Sequence, residues 1–401
     1  MKRGYRRYRG SRRVGCLIPT LVILCILAAG VLIYLNKNLA IGTDGMVLKL
    51  PFSEKTVTFG EKKKEDVPII IEDETKKGTT PEQTPEQPKP ITYEQRQERS
   101  VFLPKATVLD AAALDAALKT LQNTAVNTVV LEVKAEDGTL ALATTYESAA
   151  DIGVNAESSA ALAAAVKKVS DAGFVPVAQI SCFRDNKMSR EHQQLACRTK
   201  KRVIWLDYDR ITWLNPYVQE ARDYLKTVID DAYSAGFREV LLTNLSFPVN
   251  GKTSILYYSQ AEEQTKQAAM QAFYAELAAL AEQKGDLHIA AKYDHYSTAR
   301  EQTPGGQALS DLAANFYRIV VPVLDEHGAV DSAALESAAA GIPADALGTR
   351  LVPLLNLDAL PEAADIPAVL AAAQQKNTGC ALFSASGAYP AAALPAAQTE
   401  A

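Results

Sequence analysis

Between Val101 and Ser384 the chain alternates short apolar runs with alanine-rich amphipathic ones. The apolar runs are Val101–Ala106, Thr128–Lys134, Phe174–Ser181, Glu239–Thr243, Leu287–Lys292, Tyr317–Val323, Arg350–Leu355 and Cys380–Ser384. Helical runs lie between them, among them Leu109–Gln122, Ser158–Ala172, Tyr217–Ala235, Ala261–Lys284 and Asp331–Ala340. Strands apolar on both faces need cover on both, so this alternation predicts a parallel sheet wrapped by helices. Eight repeats over roughly 290 residues favour a closed, TIM-like (β/α)8 barrel at residues 98–390. An open doubly wound sheet is the alternative.

In such a barrel, chemistry sits at the C-terminal ends of the strands. Strand two offers Glu132 and Lys134, which alternate with Leu131 and Val133 so that both are expected to point inward. The next loop carries Asp137-Gly138, either an acid at the mouth or a common turn dipeptide. Strand three offers Gln179, strand four Thr243 and Asn244, strand five Lys292 and Asp294, and strand seven Asn356. Glycosidic cleavage needs two carboxyl groups about 5–5.5 Å apart for retention or about 6.5–9.5 Å apart for inversion. Asp137, Asp294 and Glu132 are the catalytic candidates. Lys134, Gln179, Trp213, Thr243, Asn244, Lys292 and Asn356 are the candidate substrate-binding residues. Glu132 with Lys134 and Lys292 also reads as a structural ion-pair group, and Asp294 as a helix cap. Trp213 and Tyr217 either stack on sugar or wedge a long loop onto the barrel.

One stretch adds a resemblance. Ile211–Pro248 holds Trp213, Asn215 and Pro216, then a helix with Ala221, Tyr224, Leu225, Val228 and Ile229 on one face. Gly236 stops the helix, and the strand Glu239–Thr243 leads into Asn244-Leu245-Ser246-Phe247-Pro248. This resembles a bacterial family of glycoside-hydrolase-like (β/α)8 barrels, usually found on extracytoplasmic proteins, whose signature here is Phe-Asp-Tyr-Ile-Arg-Phe-Pro. Phe247-Pro248 keep the frame. Thr243 stands where the family carries Asp, and Ser246 where it carries Arg. Val133, Lys134 and Gly138 look like retained positions of a second motif, with Ala135 in place of its Asp. Phe183-Arg184-Asp185 is similar to the family's Phe-Lys-Asp. The resemblance implies a carbohydrate ligand. The missing acid implies a glycan-binding or degenerate hydrolase, with a hydrolase using a displaced acid pair as the alternative.

The first thirteen residues carry seven Lys or Arg and no acid. The 22 residues that follow, Val14–Leu35, are uncharged. Roughly 20 helical residues cross a bilayer core, so this run predicts an uncleaved transmembrane signal anchor. The basic residues at 1–13 then stay in the cytoplasm and the barrel lies outside, on the cell membrane. That position makes a nucleic-acid role for the basic run the weaker reading. Residues 36–97 read as a stalk ending in the Pro-rich linker Lys76–Pro90, expected to be disordered, and 391–401 as a frayed tail. Short segments such as VLKLPF and TVTF in the stalk are expected to pair as a small hairpin. Cys182 and Cys197 are separated by fourteen residues, a loop that a disulfide can close. No metal-ligand spacing occurs, and nothing calls for a metal or cofactor.

Overall fold

The computed structural model describes residues 39–42, 45–49, 56–59, 96–156, 158–294, 305–325, 327–375 and 378–394. The chain divides into two units, Met1–Gln87 and Pro88–Ala401. In the first, Leu39–Gly42, Gly45–Lys49 and Thr56–Phe59 form a three-stranded antiparallel sheet. Its last two strands are the hairpin expected from the stalk sequence, with Met46 opposite Phe59. The expected anchor Val14–Leu35 and linker Lys76–Pro90 lie outside the described residues. Among the described residues, no helix is long and apolar enough to cross a membrane.

The second unit is built on eight parallel strands: β1 (Arg99–Leu103), β2 (Thr128–Lys134), β3 (Val175–Ser181), β4 (Glu239–Thr243), β5 (His288–Lys292), β6 (Arg318–Pro322), β7 (Leu351–Asn356) and β8 (Cys380–Phe383). Each pairs with the next, and β8 returns to β1 through Cys380 opposite Arg99. Closure excludes the open sheet. β2 and β4 have the expected bounds. β1 ends earlier than expected because Pro104 stands at the N-cap of the helix Lys105–Leu109.

The strands are buried on both faces, as their near-continuous apolar sequence requires. Inside the barrel, Phe102, Val130, Val177, Leu241, Ala290, Val320, Val352 and Ala381 form one packed layer. Outside, the helices present single apolar stripes. In Gln219–Ser234 the buried residues are Ala221, Tyr224, Leu225, Val228, Ile229 and Ala232, a helical period. The expected helix 261–284 begins only at Lys266, because the Thr265 hydroxyl accepts the Ala268 N–H at 3.1 Å and caps it there.

The N-terminal end of the barrel is held by buried charge. Arg318 donates to Glu239 at 2.5 Å and lies 3.7 Å from Glu98, while Arg96 donates to the other Glu239 oxygen at 2.6 Å. Burial, reinforced by the neighbouring Glu239, raises the Glu98 carboxyl above its ordinary range. This network lies at the end of the barrel opposite the mouth, where a structural role is expected.

Candidate active site

The inward positions next toward the C-terminal ends divide the mouth into two sectors. Glu132, Gln179, Thr243 and Lys292 follow Val130, Val177, Leu241 and Ala290 by strand alternation and make a polar sector. Leu354 and Phe383 make an apolar sector, with the Phe383 ring 4.8 Å from that of Phe102. Among the described residues, neither the Gln179 amide nor the Thr243 hydroxyl makes a side-chain hydrogen bond. Lys292 lies 3.5 Å from Asp294.

Lys134 does not join them. The register of β2 against β3 slips between Glu132 and Lys134, a β-bulge that sets Lys134 opposite Ile180. The side chain therefore turns out of the lumen into the layer beneath the helices, fully buried. There it pairs with Asp185 at 2.8 Å and donates to the Ser181 carbonyl at 2.7 Å. Asp185 also caps the short helix Asn186–Glu191. Gly138, at φ +88°, lets the β2 loop come down on it; a Cβ there would strike the Asp185 carboxylate. Lys134, Gly138 and Asp185, all retained-looking motif positions, thus form one buried structural knot. The expected group of Glu132, Lys134 and Lys292 is not what forms.

Trp213 is also structural. It is 1% exposed, and its indole N–H donates to Asp207 at 3.0 Å, which excludes a sugar platform in this conformation. Tyr217 packs against Phe247 at 4.7 Å and Tyr258 at 5.5 Å and donates to the Gln264 carbonyl, the wedge role.

At the end of β4 the backbone turns sharply. Asn244 has φ +49°, a left-handed conformation that Asn tolerates better than most residues. Its amide donates to Ser181 and to Glu136, each at 3.1 Å. The next N–H, of Leu245, donates to Asp294 at 2.9 Å. Gln307 closes the loop, accepting the Asp294 N–H at 2.8 Å and donating to the Leu245 carbonyl at 3.0 Å. Asp294 is 7% exposed. Burial raises its carboxyl above the ordinary range, opposed by Lys292 and by the Leu245 and Asn244 amides. It supports the strand-four turn; the segment that the helix-cap reading needs, residues 295–304, lies outside the described residues. Ser246, at the family's Arg position, is fully buried, and its hydroxyl has no partner among the described residues.

Asp137 and Glu132 lie on the other side. The Asp137 carboxylate accepts the Thr139 N–H at 2.8 Å and hydroxyl at 2.6 Å, an Asx-type turn. Burial alone would raise its pKa, but the Thr139 bonds and the Lys105 charge hold it below the ordinary range. Glu132 moves the opposite way. Burial raises it, the 2.9 Å hydrogen bond from Lys105 N–H and the Lys105 charge oppose, and Asp137 and Glu136 push it further up. Lys105, whose ammonium donates to Thr139, joins these two acids. Asn356 is exposed at the end of β7, and its side-chain oxygen accepts the Asp358 N–H at 3.1 Å.

Reading strand ends did not assign Arg184 a role. It binds Glu136, Asp207 at 2.8 Å and Asp209 at 2.6 Å, and so ties the β2 and β3 loops together. Its place in Phe183-Arg184-Asp185 was the available signal. The Cys182–Cys197 bond that the loop length permits is absent. Both are buried free thiols, with Cys182 facing the Ile180 carbonyl and Cys197 the Leu214 carbonyl. Burial pushes the Cys197 thiol up to about 12.

A family model described as "Putative glycosyl hydrolase domain" matches residues 100–326. The chain belongs to this family. The match runs from within β1 through β6 of the glycosyl hydrolase-like domain and takes in the whole strand-four turn. Among solved structures, the domain is similar in fold to alpha-L-fucosidase isoenzyme 2 from Paenibacillus thiaminolyticus. Identity is 12% and the TM-score 0.51, covering 74% of this chain and 48% of that one, so the chain spans about half the fucosidase. Lower-scoring similarities include a hypothetical protein from Ruminiclostridium thermocellum ATCC 27405 (22% identity, 48% and 96% coverage, TM-score 0.42). Another is the glycoside hydrolase domain of PelA from Pseudomonas aeruginosa (13% identity, 73% and 97% coverage, TM-score 0.42). No curated protein matches the chain.

Proposed function

We propose that the barrel binds carbohydrate at its C-terminal mouth and that its hydrolytic capacity is degenerate. The neutral end of β4 carries this reading. Thr243 cannot ionise, and Asp294, one candidate replacement, is buried and committed to the Leu245 amide. What remains toward the lumen is a neutral amide, a hydroxyl, an ammonium group and one carboxyl, from Gln179, Thr243, Lys292 and Glu132. Such groups hydrogen-bond sugar hydroxyls, and Phe102 with Phe383 supply an apolar floor beside them. The binding group is therefore Gln179, Thr243, Lys292 and Glu132, with Asn244 buried behind it as a positioning residue.

The second reading is an active glycoside hydrolase with displaced acids, and one observation favours it. Glu132 is raised and Asp137 lowered by their surroundings, the relation expected of a proton donor and an ionised partner. Against it stands the Asp137 carboxylate, held by Thr139 in a turn. The ligand on either reading is cell-envelope or environmental polysaccharide. We further propose that Val14–Leu35 anchors the protein in the cell membrane with the barrel outside, on the strength of the uncharged run and the basic residues before it.

Glycan-panel binding by the full chain tests the first reading. Gln179→Ala with Lys292→Ala is expected to weaken binding about tenfold or more, since each removes a hydrogen bond to ligand. Binding unchanged by both substitutions, or absent across the panel, contradicts a carbohydrate site at this mouth.

A further inference from the structure

Five of the six exposed large apolar side chains among the described residues lie in two segments of the barrel's C-terminal end: Val203, Leu206 and Tyr208 in one, Ile255 and Tyr257 in the other. The first segment is a hairpin inserted after β3, laddered by Arg198 opposite Ile204 and Leu206 opposite Thr212. The second follows β4. The two are paired edge to edge, Arg198 opposite Tyr257 and Thr199 opposite Leu256, so their exposed side chains form one rim.

The rim is rigid. The Trp205 indole is 2% exposed and donates to the Lys252 carbonyl at 3.0 Å, and a Cβ at Gly251 would strike its ring at 2.7 Å. Tyr208, by contrast, is 75% exposed. The apolar side chains are therefore held out in water by a built support.

The same rim is basic on a chain of net charge −5. Its acids, Asp207 and Asp209, are both paired with Arg184. Among the described residues, Arg198, Lys200, Lys201, Arg202, Arg210 and Lys252 have no carboxylate partner. Arg202 and Arg210 occupy the left-handed turn positions of the hairpin, φ +61° and +65°, where Gly or Asn is easier to accommodate.

We propose that this rim docks on a bilayer containing anionic lipid. Protruding aliphatic side chains, tyrosines whose rings are apolar and whose hydroxyls are wet, and a ring of unpaired Lys and Arg match the acyl boundary, the interface and the headgroups in turn. A sugar polymer is matched less well, because Val203, Leu206 and Ile255 offer no flat face to a sugar ring. Docking there turns the mouth toward the bilayer, so the ligand would be taken close to the membrane surface. The inference does not depend on Val14–Leu35 being an anchor.

The test uses the full chain carrying Tyr208→Trp, with vesicles whose acyl chains are brominated. In vesicles of phosphatidylcholine mixed with phosphatidylglycerol, the introduced tryptophan loses most of its emission relative to unbrominated vesicles. The unsubstituted chain, whose Trp205 and Trp213 are buried, does not. Phosphatidylcholine alone produces no such loss, and Lys200→Glu with Lys201→Glu abolishes it. The readout is local to position 208, so insertion elsewhere in the chain neither produces nor masks it. No bromine-dependent loss in the anionic vesicles, or an equal loss in phosphatidylcholine alone, overturns the proposal. A blue shift with soluble poly(glycerol phosphate), without bromine quenching, assigns the rim to anionic polymers and overturns it too.

Discussion

Thr243 and Asp294 carry most of the argument at the level of single residues. Thr243 was legible as a neutral residue at a family acid position, because strand alternation and the Phe247-Pro248 frame locate it in the chain. The role of Asp294 was not, because its partner, the Leu245 amide, lies 49 residues earlier and meets it only through the β4–β5 pairing. Its raised pKa yields a pH prediction. A carboxyl raised on folding contributes stability that is present below its unfolded value, here near 3.8, and is lost as pH rises through the folded value. Asp294→Asn keeps an oxygen for the Leu245 amide and has no charge to bury. Urea unfolding over this window is expected to show the unsubstituted chain losing stability with rising pH relative to Asp294→Asn. Parallel pH profiles for the two proteins contradict this account of the turn.

Among the elements, the strands were legible and their faces were not always so. β2 and β4 read correctly from their apolar runs, since burial on both sides leaves few other interpretations. The bulge in β2 has no local signature: Glu132-Val133-Lys134 alternates as any strand does. The Asp185 carboxylate, brought in by the helix cap after β3, and the Ser181 carbonyl give Lys134 a reason to turn outward. Removing one member of a fully buried ion pair leaves the other uncompensated. Lys134→Met is therefore expected to destabilise the barrel by about 3–5 kcal/mol, read as a lower urea midpoint. A change below about 1 kcal/mol would mean that Asp185 finds another partner and the knot is not what fixes the β2 loop.

For the whole molecule, the closed barrel and its family were recoverable from repeat pattern and motif, whereas the mouth was recoverable only in part. Gln179, Thr243 and Lys292 line it as alternation requires, but Trp213, the most conspicuous aromatic of the signature stretch, belongs to the packing beneath the rim. Topology is a separate prediction: protease added to intact protoplasts is expected to remove the barrel, and full protection contradicts an external location. The account as a whole rests on the neutral end of β4, because losing one member of a catalytic carboxyl pair costs orders of magnitude in rate. The direct measurement is reducing-end release by the full chain on α- and β-glucans, chitin and peptidoglycan glycans, beside Glu132→Gln and Asp137→Asn. The account predicts no turnover above background in any of the three. Robust turnover by the unsubstituted chain that either substitution abolishes would contradict it and establish a displaced acid pair.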